Sequence, residues 1–357
     1  MYKEIVEGKA KVKVPVEKKV SKKLPVFYNP DMEFNRSVSV ALLNSIGLKD
    51  LRMALPLAGS GVRGIRFLKE LKKGIVESVD FNDYNPEALK LIENNILLNN
   101  IKDKFSLFSK DANLFLLESS GYDYIDIDPF GSPNFLLNSS AIRISRGGIL
   151  AVTATDTGAL AGSFMNAGRR KYWAKPMKNS MMHEIALRIL IRKCQLMAGQ
   201  FEKALIPIYG HATLHYDRVY FRVEKGRQKV DALFREHKYF LYCPKCLERQ
   251  VSEFNNMQCS CGGAFDYAGP LWVGPIWDSK LAGKIKLNRI TDEIAAESKI
   301  ETVGFYDIHD IGRVYKIEIP KMDVLLSKIK GTRTHFSPYG IRTKLKLKEI
   351  IEKIKNI

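Results

Sequence analysis

Glutamine is scarce in this chain: five in 357 residues, against a background rich in lysine, glutamate and isoleucine. That balance is typical of proteins from hot-growing sources. Cysteine is scarce as well, with five in all, which excludes a disulfide-dense secreted scaffold. No apolar run in the chain reaches the roughly 20 residues that span a bilayer. The opening Met1-Tyr2-Lys3-Glu4 lacks the apolar core of a signal peptide. A cytoplasmic location is therefore expected, with no membrane attachment and no obligate protein partner in evidence. His211, His215, His309 and His335 show neither metal nor triad spacing, so most are expected to be surface or core partners. No internal repeat is found. The remainder is ordinary for a globular protein, 45% hydrophobic and 27% charged, and long enough for two domains.

Residues 51–57 read as a short strand, followed by Ala58-Gly59-Ser60-Gly61-Val62-Arg63-Gly64 and by helical spacing over 65–71. Glycines between a strand and a helix let a ligand approach the backbone closely. Residues 75–81 read as a second strand ending at Asn82-Asp83. A carboxylate there, about 20 residues past the glycine turn, is placed to bind ribose hydroxyls. Pro86 opens a helix reaching about residue 99. Residues 105–109 form a third strand before Asp111-Ala112, where an adenine edge could be read, and residues 148–155 form a fifth. The expected class is α/β: a doubly wound, mostly parallel sheet with a cofactor site at Gly59, Gly61, Asp83, Asp111 and Ala112. The glycine spacing alone suits NAD as well as S-adenosylmethionine.

What separates the two is Asp126-Ile127-Asp128-Pro129-Phe130-Gly131, directly after Tyr122-Asp123-Tyr124-Ile125, which alternates like the end of a buried strand. The Asp128 carboxylate can accept a hydrogen bond from an exocyclic amine, the Pro129 carbonyl can accept a second, and the Phe130 ring can stack on a base. The plainer reading is a strand-end turn, since Asp-Pro often starts one. A dehydrogenase has no need of this loop at its fourth strand; an amino-methyltransferase does. With regular alternation Asp126 shares a face with Asp128 and is the competing candidate.

Four of the cysteines form a pattern. Cys243-Pro244-Lys245-Cys246 and Cys259-Ser260-Cys261 are two close pairs separated by a twelve-residue gap, the spacing of a tetrahedral zinc knuckle. Gly262-Gly263 allows the tight turn that frees backbone donors for a thiolate. Four thiolates leave no open coordination position, so the zinc is expected to be structural. Cys194 stands alone in an apolar pattern and reads as core.

Acidic residues are in deficit, 39 against 57 basic, for a net charge of +18. Such an excess favours a polyanionic partner, although a merely basic soluble protein has the same balance. Lysines crowd residues 9–23, as a flexible tail or a sheet edge, and basic residues recur over 328–355. Arg169-Arg170-Lys171 precede Tyr172-Trp173, and cations beside aromatics suit splayed RNA. Residues 1–228 are expected to hold an entry segment and the sheet domain, including a helix over 180–200 and a strand pair over 201–223. Residues 229–357 are expected to hold the cysteine knuckle and helices over 281–284, 290–297 and 345–354, in an α+β lobe.

The sequence resembles the tRNA (guanine(26)-N(2))-dimethyltransferases, in their archaeal form. Nearly the whole chain is covered by seven ordered blocks: Phe27-Tyr28-Asn29-Pro30 with Asn35-Arg36, the Gly59 turn through Arg66, Asn82-Asp83, Asp128-Pro129-Phe130-Gly131, Thr153-Ala154-Thr155-Asp156-Thr157, Gly269-Pro270-Leu271-Trp272-Val273-Gly274-Pro275, and Thr334-His335 with Gly340-Ile341-Arg342-Thr343. Two positions depart from the family, Leu55 and Ser37, each where aspartate is common; both concern fine cofactor contacts.

The resemblance implies S-adenosyl-L-methionine as methyl donor, Arg36 and Arg66 in its site, one antiparallel hairpin at the sheet edge, and a C-terminal lobe that binds tRNA. Arg333 and His335 would join Arg169, Arg170 and Lys171 as RNA contacts. The implied reaction is in-line transfer to the 2-amino group of guanosine 26. Asp128 and the Pro129 carbonyl would orient the amine, Asp128 would take its proton, and Phe130 would stack on the extruded base. One transfer or two is left open. Two rivals remain: another base-amino methyltransferase, such as one acting on adenine, and a noncatalytic RNA-binding protein with a retained cofactor fold.

Overall fold

The computed structural model describes residues 2–16 and 26–357, so part of the lysine-rich stretch lies outside the described residues. Two compact units result. The first holds residues up to 155 together with 197–206 and 220–227; the second holds 156–196, 207–219 and 228–357. The chain thus crosses between units several times, where the sequence suggested a single boundary at 228/229. The reason is the long strand pair, whose two halves are shared between the units.

The first unit opens with a hairpin, β1 (Tyr2–Glu7) and β2 (Ala10–Pro15). In β2 the buried Ala10, Val12 and Val14 alternate with exposed Lys11 and Lys13, the period of a half-buried strand. Helix α1 (Glu33–Ser45), strand β3 (Leu51–Leu55), helix α2 (Val62–Glu70), strand β4 (Val76–Asn82), helix α3 (Pro86–Leu98), strand β5 (Phe105–Phe108), helix α4 (Ala112–Leu117), strand β6 (Tyr122–Ile127), helix α5 (Leu137–Arg143) and strand β7 (Ile144–Ala154) then alternate. Strands β8 (Lys203–Thr213) and β9 (Tyr216–Lys225) complete one seven-stranded sheet in the order β5-β4-β3-β6-β7-β9-β8. The pairs β3/β4, β4/β5, β3/β6 and β6/β7 are parallel. Order reverses at β3, and ligands of open α/β sheets bind outside the carboxyl ends of the strands at such a point.

Local chemistry explains the boundaries. Pro86 occupies the first turn of α3, and the Asn85 side chain caps it by accepting from the Glu87 amide. At the same helix, the buried Asn95 and Asn99 pair with the backbone of Lys13 and Lys11, which satisfies the free edge of β2. Strand β6 is buried on both faces except at Asp123, as a central parallel strand must be.

The second unit contains α6 (Thr157–Leu160), α7 (Met165–Tyr172), all but the last three residues of α8 (Met182–Gly199) and all but the first residue of α9 (Arg227–Arg235). Two three-stranded sheets follow. Strands β10 (His237–Tyr242), β11 (Arg249–Ser252) and β12 (Asp266–Trp272) pair in the order β11-β10-β12. After α10 (Ser279–Ala282) and α11 (Arg289–Glu297), strands β13 (Tyr306–Asp307), β14 (Gly331–Thr334) and β15 (Ser337–Thr343) pair in the order β13-β15-β14. Helices α12 (Ile308–Tyr315), α13 (Met322–Lys328) and α14 (Leu347–Lys355) close it. Helix α14 buries Leu347, Ile350, Ile351 and Ile354 against Ile308, Ile311, Leu325 and Ile341, the i, i+3, i+4, i+7 stripe of an amphipathic helix. Among the described residues no helix is long and apolar enough to cross a membrane.

Candidate active site

The turn after β3 is shaped by its glycines. Gly59 and Gly61 both have positive φ, +54° and +77°, and Gly61 is the residue from which α2 starts, with no side chain capping it. At Gly64 an added Cβ would sit 2.2 Å from the Phe81 ring and 2.7 Å from Leu55; helix and sheet meet there only because the side chain is missing. The turn borders a cleft lined by Phe27, Tyr28, Asn29, Arg36, Leu55, Gly59, Ser60, Arg63, Asp126 and Asp128.

Not all the expected cofactor residues reach that lining. Asp83 accepts from the Gly59 amide at 2.9 Å and the Asn85 amide at 3.0 Å; its visible role is to fix the glycine turn. Asp111 caps α4 through the amides of Asn113 and Leu114, and Ala112 is buried behind it. Arg36 lines the cleft but is held bidentately by Glu7 of β1, both contacts at 2.6 Å. Arg66 donates to the same Glu7 at 3.0 Å, to Ser37 at 3.0 Å and to Glu70. Burial works to raise the Glu7 pKa, and the guanidiniums of Arg36 and Arg66 outweigh it and hold the carboxyl below its usual range. Ser37, where the family often has aspartate, is therefore a partner of Arg66 in this chain.

At the end of β6 the two acids face one cation. Arg63 of α2 donates to Asp128 Oδ2 and lies 3.5 Å from Asp126 Oδ2. It also donates to Ser39 Oγ at 2.9 Å and Asn35 Oδ1 at 3.0 Å, both on α1. Asp126 accepts in addition from the Tyr124 hydroxyl at 2.5 Å and is 3% exposed, while the Asp128 side chain is 21% exposed. The more accessible acid is the one beside the proline. Thr155 Oγ1 ties the loop down, donating to the Pro129 carbonyl at 3.4 Å and accepting from the Gly131 amide at 2.6 Å. The Phe130 ring is 38% exposed and meets Phe27 edge-on, with centroids 4.1 Å apart. Asp128 lines the cleft itself, and Phe130 packs on the cleft-lining Phe27 just past the buried Pro129. Arg63, Phe27 and Asn35 have no role assigned to them from sequence alone; the charge of Arg63 carries no signal until the acids opposite it are known.

In the second unit, Arg169, Arg170 and Lys171 lie exposed on the last turn of α7, with the 53% exposed Trp173 next. Lys193 sits 2.9 Å from the centroid of that indole, and Lys171 pairs with Asp156 at 3.0 Å. His335 requires a correction. Its side chain is fully buried and paired to Glu297 at 2.5 Å, in a network where Glu297 and Glu184 hold Arg342. A ring sealed against a buried carboxylate does not meet RNA phosphate. Arg333 is partly exposed and pairs with Asp323 at 3.0 Å.

The four knuckle cysteines converge, their sulfurs all within 4.8 Å of one another. Cys243 and Cys261 are 3.6 Å apart, Cys246 and Cys259 3.5 Å. A disulfide needs about 2.05 Å, whereas four thiolates about 2.3 Å from one tetrahedral ion stand near this spacing. The Gly263 amide donates to Cys261 Sγ at 3.4 Å. Cys194 is core, 1% exposed.

A doubly wound sheet with a glycine turn after its first strand and an acid-proline-aromatic loop after its fourth is the fold of the S-adenosylmethionine-dependent methyltransferases. Within that class, the chain belongs to the N2,N2-dimethylguanosine tRNA methyltransferase family, whose model matches residues 8–355. It is 37% identical to a tRNA (guanine(26)-N(2)/guanine(27)-N(2))-dimethyltransferase of Aquifex aeolicus, over 99% of this chain and 96% of that protein. It is also 37% identical to a tRNA (guanine(26)-N(2))-dimethyltransferase of Methanocaldococcus jannaschii, over 98% of this chain and 97% of that one. Among solved structures it resembles Trm1 from Pyrococcus horikoshii in complex with S-adenosyl-L-methionine, with 32% identity and a TM-score of 0.86 over 98% of this chain and 99% of that chain.

Proposed function

We propose that this protein transfers methyl groups from S-adenosyl-L-methionine to the exocyclic 2-amino group of guanosine 26 in tRNA. The observation that carries the reading is Asp128 on the same cleft as the glycine turn, followed by Pro129 and by Phe130 packed on the cleft-lining Phe27, in a chain of this family. The guanine amine is a poor nucleophile because its lone pair is delocalised into the ring. Hydrogen bonds to Asp128 and Pro129 turn that lone pair toward the sulfonium. The N–C bond forms as the C–S bond breaks, and the amine proton passes to Asp128. Phe130 stacks on the base, which must leave its helix to be reached. Most of the acceleration comes from holding donor and acceptor in line.

The glycine turn at Gly59 and Gly61 admits the donor, with Asp83 bracing the turn and Asp111-Ala112 beside the adenine. Arg36 and Arg66 act through Glu7, which stands ready to be exchanged for the donor's carboxylate. The four cysteines hold a structural zinc, and their spacing and the Gly263 amide fit that ion. The zinc-bearing unit contacts the tRNA, with Arg169, Arg170, Lys171 and Arg333 as its phosphate-facing cations, and the reaction runs in the cytoplasm.

The test is incubation with labelled S-adenosylmethionine and tRNA transcripts, followed by nucleoside identification and mapping of positions 26 and 27. N2-methylated guanosine at 26 is expected, dimethylated at long times. Label at 27 as well would match the Aquifex relative's range. Methyladenosine, or no transfer, would refute the proposal.

A further inference from the structure

We propose that Arg63 is the positioning residue for methyl transfer, clamping Asp126 and Asp128 together so that Asp128 presents one fixed oxygen to the target amine. The inference rests on the reading of Asp128 as proton acceptor. Arg63 is the second residue of α2, just after Gly61, and its side chain is only 9% exposed. Its fork reaches four groups: Asp128 Oδ2, Asp126 Oδ2, Asn35 Oδ1 and Ser39 Oγ. A planar guanidinium can hold two carboxylates at defined angles; an ammonium is a point charge.

The surroundings explain why a clamp is needed. Two carboxylates, one on β6 and one just past its end, repel, and without a cation one of them takes up a proton. A protonated Asp128 could not accept the amine proton. The two neighbouring arginines of the described residues are engaged elsewhere. On α1, Arg36 is committed to Glu7 of β1, and on α2, Arg66 is committed to Glu7 and Glu70. From β6 itself comes the Tyr124 hydroxyl, on Asp126. From β9 comes Tyr220, whose hydroxyl is 2.8 Å from Ser39 Oγ and so steadies the residue that receives Arg63. Asn35 is steadied in turn by Thr153 of β7 at 3.4 Å. The clamp therefore links the glycine turn, where the donor is expected, to the acid loop, where the base is expected.

Single-turnover transfer on preformed complexes tests this, using full-length protein, labelled S-adenosylmethionine and a tRNA transcript, across a pH series. Arg63→Ala should slow transfer by about 10²-fold, the scale of a misplaced reacting group, with donor and tRNA affinities changed only a few-fold. The acid limb of its rate–pH profile should move to higher pH. Adding Asp126→Asn to Arg63→Ala removes the like charge and should recover part of the rate and return the limb toward its original position. Arg63→Lys should keep the parent profile with roughly tenfold slower transfer, and it provides the test should Arg63→Ala fail to fold. A parent profile in Arg63→Ala with no gain from Asp126→Asn, or a parent rate in Arg63→Lys, would overturn the clamp. Asp128→Asn at the parent rate would instead overturn the assignment of the proton acceptor beneath it.

Discussion

Asp217 gives the most quantitative prediction. It lies on β9, 1% exposed, and neither carboxylate oxygen has a hydrogen-bond partner among the described residues. Burial first, and then the negative charge of Asp156, push its carboxyl from 3.8 up to about 8. Asp156 is itself engaged, accepting from Lys171 and from the Tyr172 hydroxyl. The folded pKa is raised above the unfolded one. Between those two values the folded state therefore binds more protons than the unfolded state, and stability falls as pH rises. Each unit of pH changes stability by about 1.4 kcal/mol. From pH 5 to pH 8 the loss through this one group is on the order of 4 kcal/mol. Asp217→Asn carries no charge at any of these pH values. Its stability relative to the parent should therefore improve by that amount over the range, whatever the absolute offset from exchanging the side chain. Urea denaturation of parent and variant at each pH measures the difference, with equal m-values confirming that the same surface unfolds. Parallel stability curves would show that Asp217 is already ionised in the folded state, and the burial argument would fail.

Three further outcomes are expected. Asp128→Ala should leave donor and tRNA binding nearly intact while cutting single-turnover transfer by roughly 10²–10⁴-fold; the same loss in Asp126→Ala alone would move the base to the buried acid. Cys243→Ser or Cys261→Ser should lose zinc by elemental analysis and loosen the second unit, because metal binding and folding are one free energy there, while donor binding persists. Neutralising Arg169, Arg170 and Lys171 together should shallow the log–log salt dependence of tRNA affinity by about 2, as three fewer phosphate contacts on single-stranded RNA require; an unchanged slope would assign them to plain surface.

Strands β3 to β6 were legible because each is a short run rich in apolar and aromatic residues between turn residues, and α3 because proline and asparagine mark its start. The cysteine knuckle was legible because its chemistry is local. Most of the second unit was not. Its strands run to as few as two residues, as at Tyr306–Asp307, and pair across long separations, so no window of sequence holds their periodicity. The same limit hid the β1–β2 hairpin, whose edge is satisfied by asparagines more than 80 residues away. His335 was misjudged for a related reason. Beside two arginines it resembles a phosphate contact, and the carboxylate that buries it is Glu297, 38 residues upstream.

The alternation of β6 put Asp126 and Asp128 on one face but could not rank them, because both are aspartates near the end of the same strand. Structure ranks them by what surrounds each. Asp126 is 3% exposed and receives the Tyr124 hydroxyl from its own strand, so one of its oxygens is occupied within the fold. Asp128 lies one residue beyond the strand, beside a proline that cannot continue the ladder, and its side chain keeps 21% of its surface. Strand exit is thus what exposes the acid, and the proline is what enforces the exit. Arg63 then needs to reach both: a cation over Asp128 alone would leave Asp126 repelling it. A fold that places a buried acid, a partly exposed acid and one guanidinium on a single cleft wall separates the tasks of holding charge and accepting a proton, and that separation is why Asp128 is the acid proposed as acceptor.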